Sequence, residues 1–403
     1  MTARTLRAIA ARDLERELPA ALADRGPALL PVPETVTPHD HPCHGMTVPE
    51  RTALVIETSG SMAKPKRVML SAEALLSGAA ATAEHFGVVN GEQCQWLLAL
   101  PEHYIAGAQV TVRALAAGSS PIRYTGERFD AEAFCQDAGR MRAANRFVSL
   151  VPAQLDTLLT ASDTDRLDAV MRAFTAILVG GQAIPSALRA AAAERHWPLV
   201  ATYGASETAG GIAYDAKPLP GVRVRSVNGE LQIASPTLAD GYLADAVRTA
   251  DRFITERGVR WYRTGDAGQV NPDGTISVHG RLDNVVISGG VKVNLDEVER
   301  AVADAAQCEV VAVGVEDARW GQRIGILARV AADGDLPPRR AEIPQPVRIA
   351  LAPFGPAALP VVWVKHDTIP RLASGKPDRT HIRNLVARIH NTAGECATDT
   401  APA

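Results

Sequence analysis

The chain has 403 residues, 46% of them hydrophobic and 22% charged, which leaves room for two or three domains and a large core. Its net charge of -3 supplies no basic field of the kind nucleic acid requires, and Lys and Arg are scattered without interleaved aromatics. No run of about 18 apolar residues occurs, so a membrane-spanning helix is excluded.

Residues 1–25 alternate charged and apolar side chains and lack the uninterrupted apolar segment of a signal peptide, so the chain reads as cytoplasmic. Residues 26–50, rich in Pro and His, read as an irregular lead-in. From there short apolar runs alternate with helical stretches. Strands are expected at 53–57, 96–100, 146–151, 176–179 and 199–202, and helices at 71–86, 106–117, 152–160 and 186–196. Such alternation predicts an α/β layer structure with a largely parallel sheet. After Tyr203 the texture changes to short strands at 231–234, 259–262 and 275–279 joined by Asn/Pro/Asp/Gly turns, a β-rich subdomain. A new unit opens at 280–283, with a helix at 295–305, strands at 310–315, 324–330 and 361–365, and a terminal helix. The expected domains are therefore 1–280 and 281–392, with a disordered tail at 393–403. The five cysteines are widely spaced and form no zinc or redox motif.

Several polar constellations fall at strand ends. Thr58, Ser59, Gly60, Ser61 and Lys66, around Met62-Ala63-Lys64-Pro65, place hydroxyls, a glycine and cations between a strand and a helix. Such a loop suits a polyanion, although the Walker spacing is absent and an ordinary polar turn has the same composition. Tyr203-Gly204-Ala205-Ser206-Glu207 combines a ring, a tight turn, a hydroxyl and a carboxylate able to hold Mg²⁺ through oxygen; a strand-end turn with a solvated Glu is its structural alternative. Tyr262-Arg263-Thr264-Gly265-Asp266 ends another expected strand with a carboxylate fit for a ribose diol or for a turn. Arg281 and Asp283 mark the expected boundary, Gly289-Gly290 reads as a hairpin turn, and Ser374-Gly375-Lys376 sets one lysine on a late loop.

In this order and spacing, the five segments resemble the adenylate-forming superfamily of acyl-CoA synthetases, luciferases and peptide-synthetase adenylation domains, over residues 50 to 385. Within it the chain is most similar to the o-succinylbenzoate–CoA ligase family of menaquinone biosynthesis. That similarity rests on Leu100-Pro101-Glu102-His103-Tyr104-Ile105-Ala106-Gly107 running into Arg113, on Ser149-Leu150-Val151-Pro152, and on Tyr203 through Gly211. The resemblance implies a large N-terminal domain of layered α/β sheets and a small, mobile α+β C-terminal domain. It also implies ATP, Mg²⁺ and the co-substrate coenzyme A as ligands, with a carboxylic acid as substrate and no nucleic acid as partner. A homodimer is compatible with it.

The implied roles follow residue by residue. Lys376, Glu207 and Ser206 are catalytic, and Glu207 holds the metal. Thr58, Ser59, Gly60, Ser61, Lys66, Gly181, Gln182, Tyr203, Gly204, Asp266 and Arg281 bind ATP. His103, Arg113, Ser149, Gly204 and Gly210 face the acid, with Arg113 either meeting a second carboxylate or serving a structural ion pair. Asp283 is the hinge, and Gly289 and Gly290 approach CoA. The chain departs from the pattern at Met62-Ala63, where a hydroxyl and a glycine are usual, and at Glu102 and Ala106. Another aryl- or acyl-acid CoA ligase, a stand-alone adenylation enzyme, or a nucleotide-binding relative with weakened turnover would share these motifs.

Overall fold

The computed structural model describes residues 3–58, 65–88, 94–330, 338–372 and 375–395. Its contacts divide into two compact units. The first comprises Met1–Ile184, Leu188–Thr264 and Gln269–Ser277; the second comprises Pro185–Ala187, Gly265–Gly268 and Val278–Ala403.

In the first unit a seven-stranded sheet runs in the order Lys217–Pro218, Gly210–Tyr214, Leu199–Ala205, Ala176–Val179, Asn145–Leu150, Cys94–Leu98, Ile122–Arg123. The last five are mutually parallel, and Gly210–Tyr214 returns antiparallel. Ala176–Val179 is buried at every position, which is why it reads as a continuous apolar run with no alternation. The helix Ala72–His85 starts where the Ser71 hydroxyl accepts the Ala74 amide, and the helix Ile105–Ala116 buries eight consecutive residues, Gly107 to Ala114.

A six-stranded sheet follows the order Gly241–Tyr242, Lys66–Ser71, Thr52–Thr58, Ala28–Val32, Ala3–Ala10, Thr47–Pro49. This corrects the expectation of an irregular lead-in at 26–50. Ala28–Val32 is an interior strand, buried throughout. Its proline hides it, because Pro31 would break most central strands. Here the register with Thr52–Thr58 touches only at Leu29↔Leu54, which leaves Pro31 clear of that ladder. The alternating stretch before it forms the strand Ala3–Ala10 and the helix Leu14–Leu22.

The β-rich sheet contains Arg223–Val227, Glu230–Ala234, Val259–Val270 and Phe253–Glu256. The strand expected at 259–262 continues to Val270, so Asp266 lies inside a strand rather than at its end. Its polar, glycine-containing middle looks like a turn, but the buried Thr264 hydroxyl donates to the Leu231 carbonyl at 2.8 Å and holds the strand in place. Leu199–Ala205 likewise extends beyond the expected 202, taking Tyr203 and Gly204 into the sheet.

In the second unit the sheet order is Val291–Asn294, Val285–Ser288, Gly321–Arg329, Val362–His366, Arg339–Ala341, with Val310–Asp317 also paired to Gly321–Arg329. Period-two alternation divides its core. Val310 and Ala312 face the helices Leu295–Ala306 and Gln345–Leu351, whereas Val311, Val313 and Val315 face the helix Arg379–Glu395. Asn294 caps the first of these helices, its side chain accepting the Asp296 and Glu297 amides. The last helix runs through Glu395, three residues into the expected tail; 396–403 lie outside the described residues. Among the described residues no helix is long and apolar enough to cross a membrane.

Candidate active site

The carboxyl ends of parallel strands are where an open α/β sheet presents loops to a ligand. Leu150, Val179 and Ala201 stand on one rung, so Val151, Gly181, Gln182, Tyr203 and Gly204 all lie beyond the same edge. Gly181 has φ +83°, which favours glycine. A Cβ on Gly204 would stand 2.0 Å from the Gly210 carbonyl oxygen, so the close pass of the outgoing and returning strands requires glycine there. Between them Ser206–Thr208 forms a 3₁₀ turn. The Thr208 hydroxyl accepts the Ala205 amide at 2.9 Å and donates to the Gly210 carbonyl at 2.7 Å.

That turn points Glu207 into the interior. Its Oε1 accepts the Tyr242 hydroxyl at 2.8 Å and lies 4.0 Å from Lys66 Nζ. Burial raises the Tyr242 pKa, and the adjacent Glu207 charge raises it further, so the hydroxyl stays a donor. Lys66 opens the strand paired through Thr58↔Lys66 to Thr52–Thr58. Ser59, Gly60, Ser61, Met62 and Ala63 lie outside the described residues.

The helix Ile105–Ala116 covers the inner face of this sheet. His103 precedes it, and burial holds that ring's pKa below the ordinary histidine range. Gln109 Nε2 donates to the Ala209 carbonyl at 2.6 Å, and Ala209 itself sits at φ +51°. One turn further along the same face, Arg113 is buried against Trp96, its guanidinium carbon 5.0 Å from the ring centroid. Arg113 Nη2 donates to the Tyr214 hydroxyl at 3.2 Å, while Nε has no partner. Tyr214 leans beneath the glycine pair: a Cβ on Gly211 would be 3.0 Å from its ring. Among the described residues no carboxylate forms an ion pair with Arg113. Ser149 is buried in the strand Asn145–Leu150, opposite Leu178. Glu102 is also buried and accepts Thr111 Oγ1 at 2.5 Å and Arg123 Nη1 at 2.6 Å.

In the second unit Lys376 is exposed on a pinned turn. The Leu372 amide donates to the Lys376 carbonyl at 2.8 Å, and Arg371 Nη1 donates to the Gly375 carbonyl at 2.8 Å. The other Arg371 nitrogen meets Glu309. Three residues on, Arg379 donates to Glu299 at 2.7 and 2.9 Å. Ser374 lies outside the described residues. Gly289 and Gly290 form the turn between Val285–Ser288 and Val291–Asn294, with a Cβ on Gly289 placed 2.4 Å from the Trp320 ring. Asp266, Arg281 and Asp283 come together. Arg281 bonds Asp266 Oδ1 at 3.1 Å and grips Asp283 at 3.0 and 3.2 Å. Burial lowers the Arg281 pKa, but its two carboxylates outweigh that and raise it. Arg281, expected to contact ATP, directs its guanidinium to Asp266, the carboxylate expected at the ribose, and to Asp283.

Residues 5–243 match the AMP-binding enzyme family. A protein of Mycobacterium tuberculosis named "Probable 2-succinylbenzoate–CoA ligase" is 35% identical over 391 residues, covering 94% of each chain. The chain belongs to the AMP-binding enzymes. The 2-succinylbenzoate–CoA ligase of Escherichia coli is 32% identical over 289 residues, 68% of this chain and 58% of that one. The fold matches the o-succinylbenzoate CoA synthetase of Bacillus subtilis, solved in complex with its acyl-adenylate intermediate. There the TM-score is 0.70 at 20% identity, over 94% of this chain and 83% of that one.

For an AMP-binding enzyme, the sequence left Tyr242, Tyr214 and Gln109 without assigned roles. Tyr242 stands in a two-residue strand with no motif around it, and only folding brings its hydroxyl to Glu207. Gln109 and Arg113 are four apart on one helix, so their shared face was legible in the spacing. The strand they meet was not.

Proposed function

We propose that this AMP-binding enzyme is a cytoplasmic 2-succinylbenzoate–CoA ligase. The observation that carries the choice of acid is Arg113. A buried guanidinium with one tyrosine hydroxyl and an unpartnered Nε carries an uncompensated charge cost. A dicarboxylate activated on one arm brings a second anion that needs such a cation. Arg113 would take that spectator carboxylate, with His103, Ser149, Gly204 and Gly210 shaping the surrounding wall.

In the first half-reaction the succinyl carboxylate oxygen attacks the α-phosphorus of ATP, the P–O bond to pyrophosphate breaks, and acyl-AMP forms. Anion meets anion, so fixed positive charge must sit where the transition state concentrates negative charge. Lys376 has that role. Lys66, with Thr58, Ser59, Gly60 and Ser61, holds the β- and γ-phosphates, and Ser206 hydrogen-bonds phosphate oxygen. Tyr203 stacks on adenine, Gly181 and Gln182 line its edge, and Asp266 takes the ribose. Glu207 suits Mg²⁺: it is one buried carboxylate, and among the described residues no cluster of three metal-ligating side chains exists. Mg²⁺ bound to ATP usually takes one or two carboxylates and completes its shell with phosphate and water; when bound it would offset phosphate charge. In the second half-reaction the CoA sulfur attacks the acyl carbon and AMP leaves, with the Gly289-Gly290 turn passing close to the pantetheine and Asp283 serving as the hinge.

Mass spectrometry of products from ATP, CoA and o-succinylbenzoate tests this reading, with benzoate and a fatty acid as controls. The expected products are o-succinylbenzoyl-CoA, AMP and pyrophosphate. Thioester formed only from a control acid would refute the substrate, and acyl-AMP without thioester would point to a stand-alone adenylation enzyme.

A further inference from the structure

Two buried tyrosines form a chain that ends on Glu207. Tyr242 donates to Glu207 Oε1 at 2.8 Å, and Tyr262 is hydrogen-bonded to Tyr242 in turn. A carboxylate oxygen only accepts, so the Tyr242 proton points to Glu207 and its oxygen is left to accept from Tyr262. Both rings are locked. Phe253 packs against each, at centroid distances of 5.9 Å to Tyr242 and 5.1 Å to Tyr262. The Tyr242 amide donates to Thr249 Oγ1 at 2.9 Å, and a Cβ on the preceding Gly241 would stand 2.4 Å from Thr249 Cγ2. Tyr242 also pairs with Val68, on the strand that Lys66 opens. One strand pair therefore brings both a hydroxyl and an ammonium to Oε1. Among the described residues Oε2 has no protein partner.

We propose that Tyr242 is a positioning residue for Glu207, held in its donor orientation by Tyr262, so that Oε1 is fixed by the protein and Oε2 is aimed at the metal of the metal–nucleotide. This rests on the reading of Glu207 as the metal-binding carboxylate. A carboxylate free to rotate would lose orientation on each release of metal; one tethered through a single oxygen would not. Partners that orient a metal ligand typically matter by about 10- to 100-fold in metal affinity.

The test compares binding of α,β-methylene-ATP to the full chain with and without Mn²⁺, by calorimetry, together with the electron paramagnetic resonance signal of free Mn²⁺. Tyr242→Phe keeps the ring and removes the hydroxyl. Binding of the Mn²⁺-loaded nucleotide should weaken about tenfold, while metal-free nucleotide binds as in the parent. Tyr262→Phe should show the same selectivity with a smaller loss, and it carries the comparison if Tyr242→Phe does not fold. Glu207→Gln separates the two layers of inference. If Glu207→Gln abolishes the metal-dependent gain but Tyr242→Phe weakens both nucleotide forms equally, or neither, the positioning role is overturned and the Glu207 reading stands. If Glu207→Gln also leaves the metal dependence unchanged, the Glu207 reading falls and the proposal falls with it.

Discussion

Arg379, at the start of the last helix, is met by Glu299 at 2.7 and 2.9 Å, by Asp296 at 3.4 Å and by the Ala312 carbonyl at 2.9 Å. Arg113, in the helix Ile105–Ala116, has a tyrosine hydroxyl at 3.2 Å, the face of Trp96, and nothing at Nε. Arg379 is the more exposed of the two, yet it has the anions. The difference separates two uses of one side chain. A guanidinium that ties helix to sheet brings its own carboxylates with it, because an unpaired one would destabilise the fold. Under the proposed function the Arg113 guanidinium receives a ligand carboxylate, and a protein carboxylate on it would compete with that ligand.

The largest expected effect tests the turn that Arg379 follows. Lys376→Ala should slow adenylation by about 10²–10³-fold, the usual result of losing one preorganised donor. Thioester formation from supplied acyl-adenylate should survive. Equal loss in both half-reactions, followed separately by pyrophosphate release and thioester absorbance, would remove the division of labour assigned to this region.

Next comes the contrast itself, measured as stability. Arg379→Ala leaves Glu299 and Asp296 close together without their cation. Breaking a fully buried pair costs about 3–5 kcal/mol; because a third of the Arg379 side chain is exposed, about 2–3 kcal/mol is expected in urea denaturation. Arg113→Met should stay within about 1 kcal/mol of the parent, since an apolar side chain of similar length replaces a charge that has no counter-ion. Comparable losses in the two variants would mean that Arg113 is structural after all.

Specificity supplies a sharper reading of comparable size. Truncating one member of a desolvated charge pair typically costs about 2–5 kcal/mol, so Arg113→Met should lower kcat/KM for o-succinylbenzoate by about 30-fold or more. The same substitution should barely affect 4-oxo-4-phenylbutanoate, which lacks the ring carboxylate. Global damage would lower both alike, and only a direct contact produces the coupling. The smallest effect belongs to Thr111, on the same helix as Arg113 but on another face. Thr111→Val removes one donor from the buried Glu102 and should cost about 1 kcal/mol of stability. A much larger loss would show that the Glu102–Arg123 pair cannot hold that loop without Thr111.

Before any folding, the order of five polar segments along the chain indicated an adenylate-forming enzyme. Strand–helix alternation up to Tyr203 indicated its layered sheets. The first was legible through the family resemblance that the order and spacing of those segments carry, the second because short apolar runs and helical stretches are local signals that hold wherever they sit. Tertiary structure decided the rest. Ala28–Val32 became an interior strand despite Pro31, since its register with Thr52–Thr58 touches at Leu29 and leaves the proline clear of that ladder. Asp266 fell inside a strand and met Arg281, because sheet pairing overrode a turn-like composition. Arg113 lacks a carboxylate and Glu207 is held by Tyr242 for the same reason. Whether a buried charge finds a partner depends on side chains 35 to more than 100 residues away, and no local pattern in the chain encodes that distance.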